Sequence, residues 1–594
     1  MKKLITSDDL VRYFKWSPLT KPLLAFMLNF LGFRKINRLY SPSADLKNRE
    51  FTEDMLRRYN ITYDINENEL SSIPKEGPFM IVCNHPFGAI EGIILYDAIS
   101  KLRPDFKIMA NFILSYIPNL KDVFFSVNPF EKNPEWGGGS VGGVKASMMQ
   151  LSEGHGLGVF PAGEVSRYHG HSYPEDIKWS PSIAKIIQKT KVPVIPVYFN
   201  GNNSRRFYFW AKIYSLLATV RLVRELLNKR NRKIIMKMGK PILPSEVERY
   251  ETPEALAAYL RERSYALQAN ISSELAHFRT KVSDPIDPPF RPSDLARELS
   301  AIREKSLLFK TADFECYLAD YDKIPHVIHE IGRRREEAFR AIGEGTGKSI
   351  DTDTYDTYYK HLILWDTKEQ TIAGGYRIGI GDEIYENYGA RGFYVDSLFN
   401  IDPKFEPYLK ETIELGRSFV SVDYQKDILP LMLLLKGLME TIMRYPQMQY
   451  FIGPVSISSW YPKFYQSLMV YYVTTKHTNE EMSKLFNPKT PFVPNFGKCD
   501  IKILMEKNMD SVDKFDRYIR KLSNSDYRMP TLFKKYLNIN SKFLCFNVDP
   551  DFNDTLDGLL LLKFTDSPKE ELDMMLKDIP EEKRPAYYQR FGKA

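Results

Sequence analysis

A histidine and a glutamate follow the first strongly apolar segment of the chain, in the string CNHPFGAIEG at residues 83–92. The preceding PFMIVC predicts a buried strand, and Pro86 and Gly88 predict a tight loop before a helix. Side chains placed where a strand ends at the carboxyl edge of a sheet commonly bind ligands. His85 can then act as a general base for a hydroxyl that attacks a carbonyl, while Glu91 accepts the other ring N–H.

Two plainer interpretations of these residues stay open. In one, His85 only hydrogen-bonds its own loop. In the other, the protein is a hydrolase that uses Cys83 or Ser166 as a nucleophile, although neither residue lies in a G-x-S-x-G elbow.

The bulk composition excludes several classes of protein. A chain of 594 residues is too long for one hydrophobic core and predicts two or more domains. The formal charge of +8 allows an acidic carrier protein or an anionic membrane surface as a partner, and no nucleic-acid partner is expected. The four cysteines are far apart and form no CxxC pair, so we expect no disulfide framework and no metal site.

Strand-like and helical segments alternate in the first half, which predicts an α/β domain with a largely parallel sheet. A proline-rich stretch predicts a linker, and the second half mixes strands and helices as an α+β domain. The predicted organisation is N-terminal membrane-surface helices (1–54), an α/β domain (55–280), a linker (281–300), an α+β domain (301–566) and a charged tail read as an exposed helix (567–594).

Two segments suit the surface of a membrane. The apolar stretch at residues 18–33 is interrupted and too short to span a bilayer, so it predicts an interfacial helix, with a buried core helix as the alternative. The segment that starts at Phe207 combines aromatic residues with Lys212, Arg221 and Arg224, a composition that suits lipid headgroups or a packed surface helix. A signal peptide is not expected at the N-terminus.

Further strings give the histidine a family context. GVFPAGEVSR at residues 158–167 and VPVIPVYFNGNNS at residues 192–204 each read as a strand followed by a turn. In this order the strings resemble the glycerolphosphate and lysophosphatidic acid acyltransferase family over residues 55–245. The resemblance implies catalysis by His85 and Glu91, with an oxyanion steadied by backbone N–H groups near Gly163 or Gly201. It also implies substrate contacts from Asn84, Pro161, Gly163, Glu164, Arg167 and Asn200.

This first resemblance has departures that bear on the substrate. The spacing between His85 and Glu91 is one residue longer than the family's commonest spacing. Ala162 stands where the family has a glutamate, and Val165 stands where it has an arginine. Since those two family residues help to hold a phosphate-bearing acceptor, we expect an acceptor other than glycerol 3-phosphate or lysophosphatidate.

The second half carries an acidic block, DTDTYDTYYKHLILWD at residues 351–366, and a strand with a charged start, ELGRSFVSVDY at residues 414–424. Taken alone, the block is a polar loop before a strand. Together the strings resemble the acyltransferase branch of the GNAT superfamily, which includes the ornithine-lipid N-acyltransferases, over residues 305–565. The shared positions are Arg335, Phe339, Asp353, Asp356, His361, Glu414, Gly416, Arg417 and Ser418, with residues 451–456 as a splayed strand and residues 546–562 as the final strand.

The second resemblance implies a V-shaped opening between two strands, where a pantetheine thioester meets an amine. Asp353, Asp356 and Glu414 are the candidates to hold or deprotonate that amine, and Arg335, His361, Arg417 and Ser418 are candidates for substrate contact. The chain after Val422 lacks the family's glycine-rich pyrophosphate loop, which favours an acyl carrier protein thioester over acyl coenzyme A as the donor. No permanently bound cofactor is expected. The basic strings at residues 229–233 and 333–335 could meet an acidic carrier, or be solvated helix faces.

Two acyl-transfer domains in one chain predict a bifunctional aminolipid synthase. The GNAT-like domain would join a 3-hydroxyacyl group to an amino acid, and the first domain would esterify the 3-hydroxyl, as in ornithine or glycine lipids. Such a protein is expected in the cytoplasm, peripheral on the inner face of the membrane. Two alternatives stay open: a single-activity lysophospholipid or glycerolphosphate-type O-acyltransferase with a degenerate carrier-binding second domain, and a membrane-surface scaffold without turnover.

Overall fold

The computed structural model describes residue 4 and residues 33–111, 117–127, 139–170, 172–213, 215–271, 283–577 and 579–593. The apolar segment predicted at the membrane interface therefore lies outside the described residues, apart from Phe33. The chain divides into two compact units. Unit 1 contains Met1–Ile271, Gly497–Asn508 and Arg517–Asp526, and unit 2 contains Ser272–Phe496, Met509–Asp516 and Tyr527–Ala594. The predicted domain boundaries stay a prediction.

The strands are β1 Thr62–Asp64, β2 Phe79–Cys83, β3 Lys107–Asn111, β4 Phe124–Val127, β5 Gly156–Val159, β6 Val194–Asn200, β7 Lys233–Met238, β8 Leu307–Thr311, β9 Phe314–Asp320, β10 Lys360–Asp366, β11 Thr371–Ile380, β12 Phe399–Ile401, β13 Thr412–Val420, β14 Tyr450–Ile457, β15 Phe486–Pro488, β16 Lys542–Asp549 and β17 Thr555–Lys563.

The helices are α1 Phe33–Tyr40, α2 Asn48–Tyr59, α3 Glu67–Leu70, α4 Ile90–Ser100, α5 Gly139–Ser152, α6 Pro181–Thr190, α7 Arg205–Ile213, α8 Ser215–Asn228, α9 Pro244–Val247, α10 Pro253–Ala266, α11 Pro292–Ser306, α12 Pro325–Arg340, α13 Gly381–Tyr388, α14 Val395–Leu398, α15 Glu406–Leu409, α16 Leu429–Arg444, α17 Lys463–Lys476, α18 Glu480–Ser483, α19 Ile501–Met505, α20 Val512–Leu522, α21 Thr531–Asn538, α22 Lys569–Met575 and α23 Arg584–Arg590.

Unit 1 is built on the largely parallel sheet that the sequence predicts. Its strand order is β1-β7-β6-β2-β5-β3-β4, and only the β6–β7 pairing is antiparallel. The central strand β2 is buried along its whole length, as is helix α4, which packs in the same hydrophobic core. A strand with apolar side chains on both faces suits a sheet that is covered on both faces. The loop at residues 84–89 therefore leaves the sheet at the carboxyl end of a central parallel strand.

Two short segments from late in the chain also belong to unit 1, Gly497–Asn508 and Arg517–Asp526. The backbone N–H of Asp500 donates to Glu262 at 2.7 Å, and Asn524 donates to the carbonyl of Met238 at 2.9 Å. The sequence pattern does not indicate this placement, because both segments follow most of the strands of unit 2 along the chain.

Unit 2 is built on an eight-stranded mixed sheet in the order β16-β17-β14-β13-β11-β10-β9-β8. Helices α11 and α12 bury their apolar side chains against one face. Helix α16 covers the other face, where a side chain at Gly437 would collide with Cys316 and Leu362. The predicted fold class is confirmed: an α/β unit with a largely parallel sheet and a mixed α+β unit.

The two central strands of unit 2 separate as the second resemblance implies. Strands β13 and β14 are parallel partners over three residue pairs only, from Thr412–Tyr450 to Glu414–Ile452. Beyond that point β13 stays paired with β11, and β14 stays paired with β17. The register of β13 on β11 shifts at this place, and Arg417 takes a left-handed φ of 48°. We call the opening between the two strands the V.

The structure corrects two details of the sequence analysis. The region predicted as one final strand is a hairpin of β16 and β17, because Pro550 and a turn at Asn553 with φ 60° interrupt it. The predicted exposed tail is two short helices, α22 and α23, whose Leu572 and Tyr587 are buried. Helix α11 begins within the proline-rich segment, with proline at its first turn.

Across the residues that the structure describes, none of the helices combines the length and the apolar character needed to cross a bilayer.

Candidate active sites

The His85 side chain lies at the mouth of the unit 1 sheet, next to Glu91. Its Nδ1 atom is 2.9 Å from Glu91 Oε1, and 16% of its side chain is exposed while the Glu91 side chain is fully buried. The His85 ring contacts the Phe160 ring at a centroid distance of 4.7 Å. With Nδ1 facing the carboxylate, Nε2 is the ring nitrogen left to take a proton from a substrate.

The loop between β2 and α4 holds the Glu91 carboxylate in place. Its Oε1 atom accepts the backbone N–H groups of Phe87 at 2.9 Å and Gly88 at 2.8 Å, and Oε2 accepts that of Ala89 at 3.1 Å. Glu91 lies in the first turn of α4, where the helix dipole also favours a negative charge. The carboxylate is thus fixed by main-chain donors before any substrate is present.

The charges of this pair support each other. Burial by itself lowers the pKa of His85, but the negative charges of Glu91 and Asp176 outweigh it and raise that pKa above 6.5. Burial by itself raises the pKa of Glu91, but His85 and the loop N–H groups outweigh it and lower that pKa. The carboxylate therefore stays ionised and stabilises an imidazolium.

A second buried carboxylate, Asp176, holds the main chain of the histidine. Its two oxygens accept the backbone N–H of His85 at 3.2 and 3.3 Å. It also accepts the Ser166 hydroxyl at 2.5 Å and the Trp179 indole N–H at 3.0 Å. Since Ser166 N–H also donates to the His85 carbonyl at 2.9 Å, Asp176 links three loops around the base.

Other residues expected to contact substrate in unit 1 are placed differently. Asn84 is buried, and its carboxamide exchanges two hydrogen bonds with the main chain of Phe199, so it ties β2 to β6. The Gly163 N–H donates to the Phe160 carbonyl at 3.0 Å, which removes it as an oxyanion donor in this conformation. The remaining expected residues line the neighbouring turns: Pro161 is buried, Asn200 is half-buried, and Glu164 and Arg167 form a half-exposed ion pair at 3.2 Å.

The two nucleophiles of the hydrolase alternative are poorly placed for that chemistry. Cys83 is fully buried within β2, and burial raises the pKa of its thiol well above the ordinary value. Ser166 is 3% exposed and gives its hydroxyl proton to Asp176. A buried thiol with a raised pKa is inert as a nucleophile.

In unit 2 the acidic block forms a buried ion network with three arginines. Arg335 binds Asp356 through Nη1 at 2.9 Å and Asp351 through Nε at 3.1 Å. Arg377, which the sequence analysis did not select, binds Asp353 at 2.5 Å and lies 3.4 Å from Asp356. The structure thus brings together residues from α12, the acidic loop and two strands.

The other predicted residues of unit 2 border this network. Arg417 places Nε 3.1 Å from Asp351, and Ser418 follows it on β13. His361 is buried, and its Nε2 donates to the Asp356 carbonyl at 3.0 Å. Burial lowers the pKa of His361 to about 4 despite the nearby Asp356, so this histidine is neutral.

The Glu414 carboxylate lies where β13 and β14 begin to separate. It accepts the Tyr359 hydroxyl and the backbone N–H groups of Tyr394 at 3.1 Å and Val395 at 2.7 Å. Burial raises its pKa to about 7, more than these hydrogen bonds lower it. Glu414 thereby fixes helix α14 and Tyr394 beside Arg417, whose Nη1 donates to the Tyr394 hydroxyl at 3.1 Å.

The three consecutive arginines at residues 333–335 do not form a solvated face or a docking surface. Arg333 binds Glu330 at 2.7 Å, Arg334 binds Glu330 at 3.1 Å, and Arg335 belongs to the buried network. Both sequence interpretations of this string are therefore corrected, because Glu330 on the same helix pairs with Arg333 and Arg334, and Asp351 and Asp356 pair with Arg335.

The comparisons with known proteins agree with this division. The family model described as "Acyltransferase" matches residues 18–273, and the one described as "Acetyltransferase (GNAT) domain" matches residues 334–435. Glycine N(alpha)-acyltransferase of Bacteroides thetaiotaomicron is 31% identical over 47% of this chain and 86% of its own length. That of Phocaeicola vulgatus is 31% identical over 52% of this chain and 94% of its own length. The chain belongs to the glycine N-acyltransferase family.

Other relatives extend the similarity to O-acyl transfer. Lyso-glycine lipid O-acyltransferase of Bacteroides thetaiotaomicron is 26% identical over 44% of this chain and 97% of its own length. The crystal structure of the 1-acyl-sn-glycerophosphate acyltransferase PlsC from Thermotoga maritima is 19% identical over 43% of this chain and 91% of that chain, with a TM-score of 0.25. This protein is an acyltransferase that joins regions similar to an N-acylating and an O-acylating enzyme.

Some residues of the candidate sites had a signal in the sequence and others had none. Arg377 is the one charged residue within TIAGGYRIGI, and Asp557 interrupts the apolar TLDGLLLL. A charge inside an apolar strand indicates a buried partner or a site. Asp176 lies in an irregular loop, and no pattern in the sequence relates it to His85.

Proposed function

We propose that this acyltransferase makes a glycine lipid in two steps. Unit 2 transfers a 3-hydroxyacyl group to the amino group of glycine, and unit 1 esterifies the 3-hydroxyl with a second acyl chain. The observation that carries the proposal is the His85–Glu91 pair at the sheet edge, in a chain whose relatives are named for both steps. Ala162 and Val165 replace the phosphate-gripping residues implied by the first resemblance, which suits a lyso-glycine lipid as the acceptor.

The O-acylation step needs only the base and a thioester. His85 Nε2 takes the proton of the 3-hydroxyl, and the oxygen attacks the thioester carbonyl carbon. The carbon–sulfur bond then breaks, the ester forms, and the imidazolium returns its proton to the thiolate. Glu91 stabilises the imidazolium through its charge 2.9 Å from Nδ1.

The N-acylation step belongs to the V of unit 2. The glycine ammonium first loses a proton to solvent, and the neutral nitrogen attacks the thioester carbon. The carbon–sulfur bond then breaks, the amide forms, and a second nitrogen proton passes to the leaving thiolate. Asp353, Asp356 and Glu414 serve this step by positioning Arg377, Arg417 and Tyr394, since each carboxylate is already bonded to protein donors.

The acyl donor in this proposal is an acyl carrier protein thioester rather than acyl coenzyme A. Helix α16 begins after a loop without glycine, and Asp427 accepts the backbone N–H of Leu429 at 3.0 Å. A carboxylate at a helix N-terminus occupies the place where a pyrophosphate would bind and repels its charge. A carrier protein brings a single phosphate and makes a smaller demand on this loop.

The membrane is the proposed second partner, and α7 is the proposed contact in unit 1. Phe209 is 62% exposed and Trp210 is 37% exposed, and Arg205, Arg206 and Lys212 are exposed on the same helix. Helix α7 carries no acidic residue. Exposed aromatic rings flanked by cations suit an anionic headgroup layer, which supports a peripheral position on the inner face of the cytoplasmic membrane.

Lipid analysis in a host that lacks aminolipids tests the two steps. The wild-type chain should yield a phosphorus-free diacyl glycine lipid by mass spectrometry. His85→Ala should accumulate the N-acylglycine, and Asp353→Ala should lose both products but regain the diacyl lipid when N-(3-hydroxyacyl)glycine is supplied. His169→Ala and Glu369→Gln, at exposed positions, are the matched controls. Altered phospholipid acyl chains with no new lipid would favour a single-activity O-acyltransferase instead.

A further inference from the structure

Three carboxylates at the V remain without a cationic partner in the structure. Glu344, Asp549 and Asp557 are each 5–6% exposed. Among the residues that the structure describes, no Lys, Arg or His nitrogen lies within ion-pair distance of any of them. Carboxylates this deeply buried are normally paired or hydrogen-bonded on every side.

The nearest cation is directed away from this acidic trio. Arg417 places Nε 3.1 Å from Asp351 and Nη2 3.6 Å from Asp353. Its Nη1 donates to the Tyr394 hydroxyl. Its three nitrogen atoms therefore serve the ion network and Tyr394, and none of them forms an ion pair with the trio.

The position of the trio follows from the strand register. Asp557 on β17 lies directly opposite Ser456 on β14, and the Ser456 hydroxyl donates to Glu344 Oε2 at 3.0 Å. Cross-strand partners share one face of a sheet, so the Asp557 side chain projects to the side where Glu344 lies. Asp549 precedes the hairpin turn, and one of its oxygens accepts the Asp551 N–H at 3.0 Å.

Asp557 is the member of the trio that points to a ligand. Within the described part of the chain its carboxylate has no hydrogen bond and no ion pair, although the residue is only 6% exposed. Burial together with the charges of Asp549 and Glu344 raises its pKa well above the ordinary value. Burial likewise raises the pKa of Glu344 to about 7. These shifts express the absence of a neutralising cation.

We propose that Glu344, Asp549 and Asp557 bind the ammonium group of the amino-acid acceptor. A primary ammonium has three N–H donors, and the three carboxylates lie on the same side of the sheet, as the β16–β17 register and the Ser456–Glu344 hydrogen bond indicate. Ser456 lies on one of the two strands that form the V, four residues beyond Ile452, so the trio borders the opening where acyl transfer is proposed.

This inference rests on the proposed N-acylation, and it differs from the assignment made from sequence. Asp353, Asp356 and Glu414, the carboxylates first predicted to hold the amine, are satisfied by arginines, a tyrosine and backbone N–H groups. The carboxylates of the trio are not satisfied in this way, because fewer protein donors reach them than there are carboxylates.

The test uses the full chain with a 3-hydroxyacyl carrier protein and varied glycine concentration. Asp557→Asn and Glu344→Gln should each raise KM for glycine at least tenfold with a smaller change in kcat, while O-acylation of supplied N-(3-hydroxyacyl)glycine is unchanged. Glu369→Gln is the matched exposed control. Thermal melting should show Asp557→Asn to be as stable as wild type or more stable, because the substitution relieves like-charge repulsion. An unchanged KM in a folded Asp557→Asn variant overturns the inference.

A binding measurement separates this inference from the function on which it rests. Ligand-observed NMR with ethylammonium as the probe should show binding to the wild-type chain and its loss in Asp557→Asn, with acetate as the control. If the wild type binds ethylammonium but does not N-acylate glycine, the ammonium site stands and the proposed function fails. If glycine is N-acylated but ethylammonium binds equally to wild type and variant, the ammonium site is wrong.

Discussion

Asp176 accepts the backbone N–H of His85 with both of its carboxylate oxygens, at 3.2 and 3.3 Å, across 91 positions of the chain. The same carboxylate accepts the Ser166 hydroxyl and the Trp179 indole N–H. The proposed general base of unit 1 is thus positioned from two sides, by Glu91 at its ring and by Asp176 at its main chain.

Asp176→Asn should reduce O-acylation at least tenfold. The new amide NH₂ is a donor, so it would face one of the three donors that the carboxylate now accepts, the His85 N–H, the Ser166 hydroxyl or the Trp179 indole N–H. The His85 main chain would then move, and a general base out of position loses rate steeply. The loss should appear in kcat, and N-acylation by unit 2 should stay unchanged as an internal control. Asp122→Asn, an exposed position in unit 1, is the matched variant. Full O-acylation activity in Asp176→Asn would show that the carboxylate has no positioning role.

Glu91→Gln should move the acidic limb of the O-acylation rate profile to lower pH. The base must be neutral to accept a proton, and its pKa is raised above 6.5 in the wild type, so activity falls as pH drops through a value above 6.5. Removing the Glu91 charge leaves burial as the larger influence, and burial lowers the pKa of the base. The check is kcat/KM for the hydroxyl acceptor against pH. A limb that stays in place would exclude Glu91 as the partner of the base.

Gly88→Ala should impair O-acylation through the anchor of Glu91. Gly88 has a φ of 102°, and a Cβ atom there would lie 2.7 Å from a methyl carbon of Leu222 and 2.9 Å from one of Val165. A side chain at such a φ is strained, so the loop must move and the 2.8 Å bond from Gly88 N–H to Glu91 weakens. Steady-state kinetics should show a drop of about tenfold or more. Gly77→Ala, at a φ of 79° with open space around it, is the control for backbone strain alone.

His361→Asn should change the pH dependence of stability in unit 2. The pKa of His361 is lowered to about 4 in the folded state. Between pH 6.5 and pH 4 the unfolded chain therefore binds one more proton at this histidine than the folded chain does. The free energy of unfolding of the wild type consequently falls as the pH falls through that window. The contribution of His361 to this loss of unfolding free energy is at most about 3 kcal/mol. His361→Asn has no histidine to protonate at this position, so it should not show this loss of unfolding free energy. The difference in unfolding free energy between the wild type and His361→Asn should therefore narrow from pH 7 to pH 4. Denaturant unfolding at several pH values measures it, and a constant difference would contradict a buried neutral His361.

Phe209→Ala with Trp210→Ala should weaken binding of the chain to vesicles that contain anionic lipid. The two rings are exposed on α7 beside Arg205 and Arg206. Each alanine substitution removes a ring that would otherwise be buried in the lipid headgroup region. Co-sedimentation should show at least a tenfold loss of vesicle binding, with binding to neutral vesicles weak throughout. Replacing the exposed Leu102 by alanine is the control for a lone surface apolar residue. Unchanged sedimentation of the double variant would exclude α7 as the contact.

Local patterns in the sequence were enough to predict many of the strands and helices and the two groups of candidate site residues. Apolar runs such as residues 79–83 and 194–200 predicted buried strands, and the histidine shortly after the first run, with a glutamate six positions later, was expected at the sheet edge. The acidic block before β10 was likewise visible as a local pattern. Local periodicity and turn chemistry carry this information because they act over a few residues.

Which charged side chains meet depends on the folded chain as a whole. Asp176 and His85, or Asp557 and Glu344, are far apart along the chain, and their approach depends on loop paths and strand register that no local pattern encodes. The same holds for the three arginines at residues 333–335, which look solvated in the sequence but are paired in the fold. Electrostatic partnership is a property of distance in space, and the core sets that distance only when the whole chain has packed.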